Sequence, residues 1–161
     1  MLLAVSSWLW LEQSILSHTI RQWLWLYPAI ESLHLLGLAL LFGSIVMFDL
    51  RLLGFSRQLW ITDMARHLLP WAYLGFAIAA VTGFLLFAVD ANQLNANPAF
   101  RLKLLLMTAT GINAALFHFN YRSVRLWNRG VVAPLAVRAI AVVSLLLWAA
   151  VIICGRLIAY I

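Results

Sequence analysis

The sequence predicts an all-α integral membrane protein, a four-helix bundle preceded by an amphipathic interfacial helix at the N-terminus. Three observations predict it. Of 161 residues, 65% are hydrophobic and 10% charged, against about half and a quarter in soluble domains, and mean hydropathy is +0.98. Four stretches carry no formally charged residue, 32–48, 68–89, 104–121 and 139–155, and each extends to the roughly 20 residues that cross about 30 Å of hydrocarbon. The eleven basic residues gather at the ends of these stretches. The net charge of +6 therefore does not form the basic face that nucleic-acid binding requires, and the partner implied is the lipid bilayer. Residues 1–161 read as one membrane domain, with spans at about 28–50, 68–89, 102–121 and 138–158.

The opening Met-Leu-Leu-Ala-Val-Ser-Ser-Trp lacks the basic region and small-residue cleavage site of a signal peptide, so Met1 is expected to remain. Residues 8–27 form the interfacial helix. Trp8, Leu11, Ile15, Leu16, Ile20, Trp23 and Tyr27 share its apolar face, and Ser14, Ser17, His18, Arg21 and Gln22 its polar one. Its tryptophans suit the headgroup level. Tyr27-Pro28 turns the chain into the first span.

The second span is led in by Thr62, a candidate cap, and by Asp63, Arg66 and His67, and it contains Pro70, which cannot donate a helical hydrogen bond and predicts a kink. Asn97-Pro98 starts the third span with a capping residue before a first-turn proline. The connection Asn92 to Asn97 is a polar loop. Glycines at 37, 43, 75, 83, 111 and 155 allow close helix approach in lipid. Thr82, Thr108, Thr110, Asn113 and Ser144 are expected to face the interior. Cys154 is the single cysteine, which excludes an intramolecular disulfide and a cysteine metal cluster.

Arg51, Arg57, Arg66, Arg122, Arg125, Arg129 and Arg138 fall on one side, and Arg21, Arg101, Lys103 and Arg156 on the other. Seven against four places the first group in the cytoplasm and both termini on the periplasmic side.

Ionisable groups inside spans are costly and mark candidate sites. Glu31 and His34, three residues apart, share one helical face. With His18 they could hold a copper or zinc ion. A di-iron centre needs a second Glu-x-x-His and two further glutamates, which the chain lacks. Haem b is the second candidate, through histidines within helices beside glycines. His34 lies about 9 Å below the outer end of its span and His118 about 24 Å below that of the third, so the pairs predicted are His34 with His18 and His67 with His118. Arg66, Arg122 or Arg125 would meet the inner propionates. A purely structural reading, with no cofactor, pairs Glu31 with Arg156, Lys103 or Arg101, and Asp49 with Arg66 beside Arg51 and Asp63.

Several of these residues fall in segments that resemble a bacterial family of small, uncharacterised four-span inner-membrane proteins, a domain of unknown function. The segments are Pro28-x-x-Glu31-x-x-His34-x-x-Gly37, Phe48-Asp49-Leu-Arg51-Leu-Leu-Gly54, Leu69-Pro70-Trp71, Asn97-Pro98-Ala-Phe-Arg101-Leu-Lys103 and Gly155-Arg156-Leu-Ile-Ala-Tyr160. The resemblance implies a compact four-span unit in the bacterial inner membrane and no activity. The first span alone is similar to the copper-resistance membrane domain and to small b-type cytochromes. Nothing in the chain forms a nucleophile with its base or a phosphate loop, so an enzyme acting alone is not expected. The functions to weigh are a haem b or metal-binding component of a membrane redox system, a structural or assembly subunit acting in a homo-oligomer or with other membrane subunits, and a small transporter.

Overall fold

The computed structural model describes residues 8–120 and 133–160. Its elements are α1 (Leu9–Glu12), α2 (Ile15–Gln22), α3 (Leu26–Leu53), α4 (Ile61–Val89), α5 (Ala91–Ala96), α6 (Pro98–Asn120) and α7 (Leu135–Leu157). Helices α3, α4, α6 and α7 are long and apolar enough to cross a membrane. Their outer surfaces carry exposed leucines such as Leu36, Leu105 and Leu146, as a lipid environment requires. This is a multi-pass membrane protein.

Local sequence explains where the spans begin and end. Pro28 lies in the first turn of α3, where a missing N–H costs nothing. Gly54 ends α3 at φ 102°, a left-handed conformation that favours glycine. There Gly54 N–H meets Arg51 O at 3.1 Å, and Phe55 N–H meets Leu50 O at 3.0 Å, closing the last turn. Arg51, 2% exposed, then turns back and donates from Nε to Leu59 O at 2.8 Å. The buried guanidinium thereby fixes the loop to α4. The lead-in with Asp63, Arg66 and His67 is continuous with the second span, since α4 runs unbroken from Ile61 through Pro70.

The spans are antiparallel in sequence order and pack laterally as α4, α3, α7, α6. Helix α3 packs on α4 and on α7, and α6 on α7, while α4 and α6 meet through the stacked rings of Phe87 and Phe100, 5.4 Å apart. The α3–α4 seam is the tightest. A Cβ on Gly75 would lie 2.6 Å from Leu41 N and 2.8 Å from Gly37 O, so the two backbones touch there. On the other side of the arc, Asn113 Nδ2 donates to Ile140 O at 3.2 Å and joins α6 to α7. One end of the bundle, called the loop end here, is closed by Leu52, Ile61, Ala133, Val137 and Ala141 with Phe48 and Phe117.

The opposite end carries a lid. The expected single helix over 8–27 is divided into α1 and α2 at Ser14, whose side chain accepts from Ser17 N at 3.3 Å and caps α2. This break resets the helical phase. Ser17, assigned to the polar face, is 0% exposed, while Ile15, assigned to the apolar face, is 87% exposed. The cause is the C-terminal end of α4, whose last carbonyls lack helical partners. Ser17 Oγ lies 2.7 Å from Ala88 O, and Arg21 donates to Val89 O and pairs with Asp90 at 3.5 Å. Glu12 accepts from the Asn92 backbone N–H at 2.8 Å. The expected loop around Asn92 is thus the short helix α5, held at its start by the lid.

Candidate functional site

His34 lies eight residues into α3, about 12 Å along the helix from its lid end, and is half-buried against α4. Its Nδ1 is 3.0 Å from Thr82 Oγ1. Thr82, 3% exposed, has a single hydroxyl proton, and its oxygen lies 2.6 Å from Ile78 O on its own helix. That proton is committed to the carbonyl, so the hydroxyl accepts from the imidazole. Nδ1 therefore carries the proton and Nε2 the lone pair. Gly83 makes the room, since a Cβ there would lie 3.0 Å from His34 Cε1.

Two charged groups lie near this ring. Lys103 of α6 and Glu31 one turn back on α3 are close enough for their charges to act on His34. Lys103 is half-buried and reaches α7, with Nζ 3.6 Å from where a Gly155 Cβ would stand and within electrostatic range of buried Cys154. Glu31 is exposed. The site is thus one oriented imidazole with a cation behind it, assembled from α3, α4, α6 and α7.

The other residues singled out in the sequence are placed differently. His18 is exposed on α2, because the reset phase turns Ser17 inward. His67 and His118 are exposed on α4 and α6, helices that lie apart in the arc. His118 is two residues from the end of α6, at the loop end, far in depth from His34. Among the described residues no group of three or more His, Cys, Asp or Glu is placed to hold a metal ion.

The expected ion pairs are rearranged as well. Among the described residues the salt bridge shown is Arg21–Asp90. Asp49 faces the Ser144 hydroxyl of α7 rather than Arg66, which is exposed on α4. Arg51 is held by the loop carbonyls of Leu59 and Arg57, since residues two apart point to different faces of a helix. Arg156 donates to Tyr160 Oη at 2.7 Å and sits 5.1 Å from its ring centroid, so it is engaged on its own helix end rather than by Glu31. Arg122, Arg125, Arg129 and Met1 lie outside the described residues.

Of the polar residues expected to face the interior, Thr82 and Asn113 bridge helices and Ser144 faces Asp49. Buried Thr110 bonds Leu106 O at 2.7 Å. Thr108 is exposed, satisfied at 3.0 Å by Leu104 O, because a threonine on a helix can return its proton to the preceding turn and face lipid. Gly83 is the contributor that the sequence did not tie to His34. Its signal is the Thr82-Gly83 pair at the antiparallel height of His34, visible only once the α3–α4 register is known.

No curated protein and no solved structure matches the chain. Residues 7–161 match the family of unknown function DUF6644 over nearly the whole sequence, and the chain belongs to that family.

Proposed function

We propose that the protein is a haem b-binding component of a membrane redox system, with His34 as axial ligand through Nε2. The observation that carries this reading is the Nδ1 contact to Thr82 Oγ1 at 3.0 Å. A metal-ligating histidine characteristically donates its other ring N–H to a fixed acceptor, which sets the tautomer and aims the ligating nitrogen. When bound, haem supplies one-electron chemistry, tuned by its axial ligand and surroundings. The chain's own residues fit one such ligand. Thr82 orients the ring, Gly83 makes room for the imidazole against α4, and half-buried Lys103 offers a cation to a propionate. None of His18, His67 and His118 is brought to this ring, so the reading is of single-histidine ligation within one chain. A copper or zinc ion on His34 and Glu31 has less support, because such an ion takes three or four protein donors.

The rival reading is a structural or assembly subunit, alone in a homo-oligomer or with other membrane subunits. It is favoured by the position of the His34–Thr82 bond on the same seam as Gly37 and Gly75, where it ties α3 to α4. For sidedness we propose the bacterial inner membrane with the lid end periplasmic, on the seven-to-four distribution of basic residues.

Purified protein from haem-replete cells distinguishes the readings. A Soret band that sharpens on reduction, with haem b recovered as its pyridine complex, is expected from the native chain and from His67→Ala and His118→Ala. His34→Ala is expected to lose it. Native protein that is folded but colourless leaves the structural reading standing.

A further inference from the structure

We infer that Asp49 is a proton-binding site, held as a neutral carboxylic acid in the seam between α3 and α7. This rests on its surroundings and is independent of haem. Asp49 is 6% exposed, and its Oδ2 has no hydrogen-bond partner. The polar group that it faces is Ser144 of α7, itself 8% exposed. Among the described residues no cation is placed to neutralise it. On its own helix, Arg51 is directed to the carbonyls of Leu59 and Arg57. On α4, Asp63, Arg66 and His67 are exposed, and on α7 so is Arg138. Helix α2 meets α3 only at the far, lid end. Toward the loop end the seam is closed by Leu52, Ile61, Val137 and Ala141, all 2% exposed or less.

An ionised carboxylate here would combine a buried charge that lacks a counter-ion among the described residues with an orphan oxygen, a costly state. A proton removes the charge and turns the pair into one acid hydroxyl and one carbonyl, with the Ser144 hydroxyl able to serve either. Among the described residues a metal cation would find three side-chain oxygens, two from Asp49 and one from Ser144, too few to replace its water. The seam therefore selects a proton. Its packing is tied to that proton, since releasing it leaves between α3 and α7 a charge that the Ser144 hydroxyl alone meets among the described residues. A proton-coupled step in this protein would use this residue.

The test is infrared spectroscopy of the full chain in lipid nanodiscs across a pH titration. The chain has five acids, Glu12, Glu31, Asp49, Asp63 and Asp90, and the four besides Asp49 are partly or fully exposed. At neutral pH a single protonated-carboxyl C=O stretch is expected. It should shift in D2O, bleach reversibly in alkali and ignore sodium. Asp49→Asn, neutral and nearly isosteric, should abolish the band, Ser144→Ala should move it, and His34→Ala should leave it intact. Should Asp49→Asn fail to fold, the shift in Ser144→Ala assigns the band. Absence of the band at neutral pH, its survival in folded Asp49→Asn, its loss with sodium, or its failure to bleach before unfolding would each overturn the assignment.

Discussion

Replacing Gly75 by alanine tests the contact that sets the height of the whole site. The new Cβ would lie 2.6 Å from Leu41 N and 2.8 Å from Gly37 O, both backbone atoms with no rotamer to yield. Reaching an ordinary contact near 3.4 Å requires α3 and α4 to part by about 0.8 Å. A rigid displacement of that size would stretch the His34–Thr82 contact from 3.0 Å to about 3.8 Å, beyond hydrogen-bond range. Overpacking of this kind costs about 1–3 kcal/mol, and the lost hydrogen bond adds about 1 kcal/mol. The better helix propensity of alanine returns about 0.5–1 kcal/mol. With unyielding backbone on both sides, the expected net loss is about 3 kcal/mol. Gly43→Ala is the control, because nothing lies within 4 Å of its Cβ position. Reversible unfolding by SDS in mixed micelles, followed by circular dichroism, measures both variants. Equal stability of the two would mean that the backbones are not in contact at Gly75 and that the height of His34 against Thr82 is set elsewhere.

Further outcomes follow from the lid and the loop. Ser17→Ala leaves the Ala88 carbonyl without its 2.7 Å partner and should weaken lid docking by about 1–3 kcal/mol, read as faster trypsin cleavage after Arg21; unchanged cleavage would count against a docked lid. The Asn92 backbone N–H, followed by its side chain and the charge of Arg21, holds the Glu12 carboxyl below its usual range against opposing desolvation. A carboxyl depressed on docking stabilises the docked form above its undocked pKa near 4.5, and that contribution disappears as pH falls through the lower docked value. Acid should therefore release the lid, shifting the fluorescence of Trp8 and Trp10, and Glu12→Gln should flatten this response. Arg51→Lys replaces a rigid fork by a point charge and should loosen the loop through Leu59, seen as faster amide exchange at residues 55–60, with no change arguing that the guanidinium does not hold the loop.

The spans were legible because a charge-free run of membrane length has few alternatives in a chain this apolar. Their ends were less so. The lead-in with Asp63 and Arg66 carries an amphipathic pattern, yet the backbone continues through it, since helix persistence is decided by hydrogen bonding and not by polarity. The lid was misphased at Ser14, because a periodicity read across a break adds the wrong angle and puts Ser17 outside. His34 stood out as a histidine in a span. Its partner Thr82 did not, because pairing across antiparallel helices depends on register, and the register is set by the glycines at 37 and 75. Asp49 was paired with Arg66 on charge alone, whereas α3 turns it to Ser144 of α7.

The most direct measurement is nitrogen-15 NMR of the protein labelled at histidine, with His34→Ala assigning the signal. His34 should show a protonated Nδ1 and a bare, pyridine-like Nε2 at neutral pH, and titration with zinc protoporphyrin, a diamagnetic stand-in for haem, should shift that Nε2 and no other imidazole nitrogen. A proton on Nε2, or a resonance unmoved by the porphyrin, would contradict His34 as the ligand and leave it as a hydrogen bond between two helices.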